Sequence, residues 1–183
     1  VIPGDGIGRE VVPEGMRVVE AAGRHFGFSL AWQEFDWSCE RFAQTGRMMP
    51  ADGMHQLRPF DAIFLGAVGY PGVPDHVSLW GLLIPIRRDF HQYVNLRPVR
   101  LLPGIEAAVK NPGPIDFCVV RENNEGEYST IGGRLYAGSE EELALQQCVF
   151  TRKGCDRVMR FAFELARRRR KHCPTRSGHG PGG

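Results

Sequence analysis

From about Gly8 to His25 the chain carries apolar residues at Val12, Met16, Val19 and Ala22, with Phe26 just beyond. Spacings of three and four place them on one face of a helix. The next run, Phe28 to Phe35 (FSLAWQEF), alternates loosely and reads as a strand. Ser38 can cap a short helix that Gly46 stops, and Pro50 opens another helical turn with Met54 and Leu57 facing inward. Asp61 to Leu65 (DAIFL) and Ile115 to Val120 (IDFCVV) are short continuous apolar runs, the pattern of strands buried in a parallel sheet. Thr130 to Tyr136 and Leu143 to Thr151 read as two extended runs around an acidic turn, and Arg152 to about His172 as a long helix. Strands alternating with helices predict an α/β fold, with a mostly parallel sheet, flanking helices and a two-stranded arm. Leu135, Tyr136, Val149 and Phe150 make that arm too apolar to stand alone, so it needs something to pack against, most economically a second subunit.

Polar chemistry collects where the predicted strands end, which is where open α/β sheets bind ligands. Gly4-Asp5-Gly6-Ile7-Gly8 follows the first strand, but Arg9 stands where the third glycine of G-x-G-x-x-G belongs, and no G-K-[ST] follows. A dinucleotide fingerprint and a P-loop are therefore both unmet. Gly66 to Gly72 forms a second such loop, and Arg121-Glu122-Asn123-Asn124-Glu125-Gly126-Glu127-Tyr128 a third. In Leu82 to Pro98 (LLIPIRRDFHQYVNLRP), Pro85 suits the first turn of a helix, so Ile86 to His91 reads as a short helix carrying Arg87. Tyr93 to Leu96 reads as extended, with Arg97 held out of the α region by Pro98. Arg87, Arg97 and Arg121 thus lie at the ends of separate elements, and Tyr128 follows Arg121 by seven residues. Guanidiniums grip carboxylates with a two-pronged fork, and a phenol can donate a proton. Such a set would suit a small dicarboxylate, although from the Leu82 to Pro98 stretch alone a solvated basic surface is the stronger reading.

Composition narrows the field. Hydrophobic residues are 42% and charged residues 24%, as in a soluble globular protein, and no apolar run is long enough to span a membrane. The five cysteines are odd in number and form no C-x-x-C pair, which disfavours a disulfide framework or a zinc site and fits a reducing cytoplasm. The net charge of +2 owes much to Arg167–Lys171, so nucleic acid is not an evident partner.

Four segments in order, IPGDGIG-x-E, DAIFLGAVG, LL-x-P-I-R with NLRP ten residues on, and VVRENNEGEY, resemble the isocitrate/isopropylmalate dehydrogenase family of β-decarboxylating dehydrogenases. The resemblance runs from Val1 to about His172. SLWG-x-L before Arg87, with Trp80 where isopropylmalate enzymes place a glutamate, resembles the tartrate/D-malate branch. The family's substrate would be a small (2R)-hydroxy dicarboxylic acid such as tartrate or D-malate. The resemblance implies that Arg87, Arg97 and Arg121 bind it and that Tyr128 protonates the enolate left after CO2 departs. It places Ile7 and Asn95 near the nicotinamide end of NAD, and implies Mg2+ or Mn2+ as Lewis acid and a homodimer. The catalytic lysine and the metal-binding aspartates are expected beyond this chain, so no metal ligand is assigned and Lys171 is not given the catalytic role. An isopropylmalate- or isocitrate-type specificity, or a non-catalytic dicarboxylate-binding module, are the alternatives.

On this reading residues 1–94 are the incomplete first, cofactor-side domain. Residues 95–172 are part of the second, with the arm at about 130–151. The tail CPTRSGHGPGG (173–183) matches nothing expected and reads as a disordered or aberrant end, as a frameshift near Cys173 would leave. The polypeptide alone is expected to yield no NADH from D-malate, NAD and Mn2+, as followed by absorbance; measurable turnover would refute this.

Overall fold

The computed structural model describes residues 1–169, so the predicted tail and the end of the last helix at His172 lie outside the described residues. Two compact units are present, Val1–Phe90 and a second beginning at His91.

In the first unit, strand β1 (Ile2–Gly4) lies parallel to β2 (Leu65–Ala67), with Ile2 opposite Leu65 and Gly4 opposite Ala67. Helix α1 (Gly8–Phe26) leaves β1 through the glycine loop and ends at Gly27, whose left-handed backbone closes the last turn. Backbone meets backbone where these elements join. A Cβ on Gly8 would fall 2.1 Å from the Pro3 carbonyl oxygen, and one on Gly66 would fall 2.2 Å from the same atom. Ser38 caps α2 (Cys39–Thr45) by accepting the Arg41 N–H, as predicted, and α3 (Gly53–Leu57) follows Pro50. Ile2, Trp37, Cys39, Met48, Leu57, Leu82 and Ile86 form the buried cluster.

Several details of this unit differ from the expectations, and the strand expected at Asp61 to Leu65 lies instead at Leu65–Ala67. Phe28–Phe35 is not a strand; it runs beside β1 with the Val1 ammonium donating to Gln33 O and Phe35 N–H donating to Val1 O. On α1 only Val12 of the predicted apolar face is fully buried, while Phe26 is 74% exposed. The helix carrying Arg87 starts earlier than Pro85 suggested. A helical run begins at α4 (Asp75–Ser78), widens through a π-helical turn (Leu79–Leu83) and continues as α5 (Ile84–Asp89). Proline's missing N–H falls where the wide turn meets the α-helix, so the ladder is already interrupted there.

In the second unit, β3 (Val94–Arg100) pairs antiparallel with β4 (Asp116–Glu122), Asn95 opposite Arg121 and Arg97 opposite Val119. The IDFCVV run therefore belongs to an antiparallel pair, with Phe117 and Val119 exposed. The arm forms as β5 (Gly132–Leu135) and β6 (Leu143–Gln146), paired antiparallel and exposed at all eight positions. Helix α6 (Arg152–Arg168) begins at Thr151, whose hydroxyl accepts the Gly154 N–H.

Burial predicts where truncation hurts. Leu82→Ala, in the buried cluster, should lower stability by about 2–5 kcal/mol, and Phe26→Ala by less than about 1 kcal/mol, in denaturant melts of the 183-residue chain. Equal losses would show that the cluster is not the core.

Candidate binding site

Residues opposite one another in an antiparallel pair share a face, as do alternate residues of one strand. Asn95, Arg97, Val119 and Arg121 therefore stand on one face of β3–β4. The opposite face holds Asp116, Cys118, Val120 and Glu122, and it turns toward α6, because Arg157 of that helix pairs with Glu122 at 3.3 Å and Arg169 at its end pairs with Asp116 at 2.6 Å. The arginine-bearing face of β3–β4 is thus the one that α6 leaves uncovered.

Beyond Arg121 the chain is pinned almost residue by residue. Asn123, buried, donates its side-chain amide to Gln92 O (2.9 Å) and its backbone N–H to Tyr93 O (3.0 Å). The Asn124 N–H donates to the Glu122 carboxylate. Glu125 accepts from both the backbone N–H and the hydroxyl of Thr151, each at 2.8 Å, and so ties the loop to the start of α6. Gly126 exchanges two backbone hydrogen bonds with Val149. Its φ of 77° is in the left-handed region that favours glycine, and a Cβ there would lie 2.9 Å from the Phe150 ring.

These anchors return Tyr128 to Arg121. The guanidinium donates through Nη2 to the Tyr128 Oη at 3.0 Å and lies 5.6 Å from the centre of its ring. The same Nη2 donates to Glu127 Oε1 at 2.6 Å. Burial works against the charge of Arg121, but the Glu127 carboxylate and the Tyr128 phenol outweigh it and hold the guanidinium more firmly protonated than usual. Glu127 sits below the ordinary carboxylate range, first through its own backbone N–H and then through Arg121. Sequence reasoning paired Arg121 with Tyr128 and overlooked Glu127, since a carboxylate next to a loop tyrosine reads as a solvated charge. Two residues before Arg97, Asn95 accepts from its Nε at 3.3 Å and donates to Asn123 Oδ1 at 3.4 Å. Asn95, Arg97, Arg121 and Tyr128 belong to the second unit; Arg87 and Ile7 belong to the first.

Arg87 is half-buried on α5, beside the buried Ile86. Its neighbours are differently engaged: Arg88 stacks over Trp80 at 5.1 Å, and Asp89 pairs with Arg58 at 2.8 Å instead of offsetting the arginines of its own helix. Ile7 is 58% exposed at the entry to α1. The first N–H groups of that helix are already satisfied: Gly8 donates to Asp5 O, Arg9 to Gly6 O, and Glu10 to Ile7 O. The buried Asp5 carboxylate accepts from the N–H groups of Cys39, Glu40 and Gly69, fastening both glycine loops to the start of α2. A loop with occupied donors and a carboxylate behind it is no phosphate cradle, in keeping with the unmet fingerprint; what it offers is the apolar surface of Ile7. The Cys39 thiol beside it is pushed up to about 11, by burial and then by Asp5. Cys39, Cys118, Cys148 and Cys155 are free thiols. Among the described residues no three of His, Cys, Asp or Glu are grouped to hold a metal ion.

Comparison with known proteins adds to this geometry. The profile of the isocitrate/isopropylmalate dehydrogenase family matches residues 1–176. D-malate dehydrogenase [decarboxylating] of Escherichia coli (strain K12) is 59% identical over 172 residues, which cover 92% of this chain and 48% of that protein. Tartrate dehydrogenase/decarboxylase of Pseudomonas putida is 54% identical over 176 residues, covering 93% and 48%. The crystal structure of isocitrate dehydrogenase from Methylococcus capsulatus is similar with a TM-score of 0.77 at 29% identity, over 93% of this chain and 47% of that one. The chain spans about half the length of the curated relatives it matches.

Proposed function

This chain belongs to the isocitrate/isopropylmalate dehydrogenase family, and from that premise we propose that it carries the substrate-binding half of an NAD-dependent decarboxylating dehydrogenase. The substrate is a small (2R)-hydroxy dicarboxylic acid of the tartrate or D-malate kind. The observation that carries this reading is the pairing of Arg121 with Tyr128, held by a pinned loop on the face that also bears Arg97. A guanidinium in that setting fixes a carboxylate in position, and fixed orientation is what presents one C2 hydrogen and not another to a hydride acceptor. Arg87, on α5, is the third arginine of the proposed clamp.

NAD would supply the hydride acceptor for C2, whose hydroxyl gives up its proton as the carbonyl forms. Ile7 and Asn95 are the residues proposed to meet its nicotinamide end: Ile7 offers exposed apolar surface to a ring, and Asn95 a side-chain amide suited to a carboxamide. Tyr128 holds a proton at Oη, 3.0 Å from a guanidinium, and after CO2 departs it delivers that proton to the enolate carbon. The proposed Mg2+ or Mn2+ finds no ligand set among the described residues, and no step is assigned to it.

A homodimer is part of the same proposal. Leu135, Tyr136, Leu143 and Leu145 of the arm are each more than half exposed, and a second copy would cover them. A cytoplasmic setting belongs to it too; no helix among the described residues is long and apolar enough to cross a membrane.

Titration calorimetry of the chain with D-malate and with tartrate tests the reading. Binding is expected, and Arg97→Ala and Arg121→Ala should each weaken it roughly tenfold or more, the scale of a lost charge-assisted hydrogen bond. No binding, or binding indifferent to both arginines, would contradict it.

A further inference from the structure

Arg121 already holds a carboxylate, and the atoms used say what that does. A guanidinium offers carboxylates two forks, an end-on edge formed by Nη1 with Nη2 and a side-on edge formed by Nε with Nη2. Nη2 belongs to both. In this structure Nη2 donates both to Glu127 Oε1 at 2.6 Å and to Tyr128 Oη at 3.0 Å. With Nη2 common to both forks and already donating to two acceptors, a carboxylate arriving in two-pronged fashion competes with them for that nitrogen.

Burial decides which acceptor yields. Tyr128 is half-buried, and its ring lies beside the guanidinium as well as accepting from it. Glu127 is attached on the open side, its side chain 58% exposed, against 32% for Arg121. An ion pair that exposed is weak and exchanges readily with solvent or with another anion. The neighbouring residues do not depend on it, since the loop is held by Asn123, Glu125 and Gly126.

We propose that Glu127 is a built-in competitor for the ligand-binding edge of Arg121, standing in for the ligand's carboxylate until one arrives and thereby setting the affinity of the site. This rests on the reading that Arg121 binds the substrate. Glu127 keeps the guanidinium oriented and charge-compensated in the free protein. It then withdraws toward solvent when a ligand takes the fork, and its remaining negative charge continues to oppose an anionic ligand. Removing the charge while keeping the shape should therefore tighten binding, the reverse of what is expected for a residue that contacts the ligand favourably.

The test is calorimetry of D-malate with the 183-residue chain, comparing wild type, Glu127→Gln and Glu127→Ala, with Arg121→Ala as reference and a thermal melt of each. Both Glu127 variants should melt within a few degrees of wild type and bind D-malate about two- to fivefold more tightly, the range of an exposed ion pair released. Unchanged or weaker binding in both variants, with wild-type binding still dependent on Arg121, would overturn the competitor role and leave the clamp intact. Absence of binding in every variant would remove the clamp itself, and the competitor with it.

Discussion

The second unit depends on the way Glu125 and Asn123 tie down the loop that leaves β4. Glu125 spends both carboxylate oxygens on Thr151, at the first turn of α6, and Asn123 spends its amide on the backbone entering β3. Between them they couple three elements distant in sequence, the start of β3, the end of β4 and the start of α6. A loop of exposed backbone would otherwise sample many conformations, at an entropic cost of about 1–2 kcal/mol for each residue later ordered by a ligand. Fixed beforehand by hydrogen bonds internal to the protein, Tyr128 is already beside Arg121. That is preorganisation in a checkable sense: the groups that would meet a ligand are held by groups that would not.

The first unit uses the same device at Asp5. One buried carboxylate accepts three backbone N–H groups from two separate segments, so the glycine loop after β1 and the loop after β2 are fixed relative to each other. The glycines add close approach of backbones at Gly8 and Gly66. In both units, then, an acidic residue inside a motif serves the backbone. The residue proposed to meet a ligand is a neighbour: Ile7 two positions after Asp5, and Tyr128 three positions after Glu125.

Much of this was legible in the chain itself. The continuous run IDFCVV marks a strand, although that strand pairs antiparallel and runs on through Arg121 to Glu122; Ser38 and Gly46 mark the ends of α2 because capping is local chemistry. What escaped was decided by distant partners. FSLAWQEF has strand-like alternation, yet its contact with the edge of β1 is confined to Gln33 and Phe35 at Val1. Pro85 looked like a helix start because local rules place proline there, whereas the π-helical turn just before it lets the run begin ten residues earlier, at Asp75. Glu127 was the largest omission at the candidate site. Six residues separate it from Arg121, too far for a helical or strand periodicity to pair them, and only the left-handed turn at Gly126 brings its carboxylate back.

The central claim is that Arg121, steadied by Tyr128 and the pinned loop, receives a ligand's carboxylate on a face shared with Arg97. The most direct measurement is heteronuclear NMR of the chain labelled with 15N at arginine and titrated with D-malate, reading the side-chain Nε–H signals. The Arg121 and Arg97 signals should shift and saturate together, while Arg134 and Arg152, exposed on the arm and on α6, stay in place. Shifts that grow evenly across the exposed arginines, or an unmoved Arg121, would contradict the account.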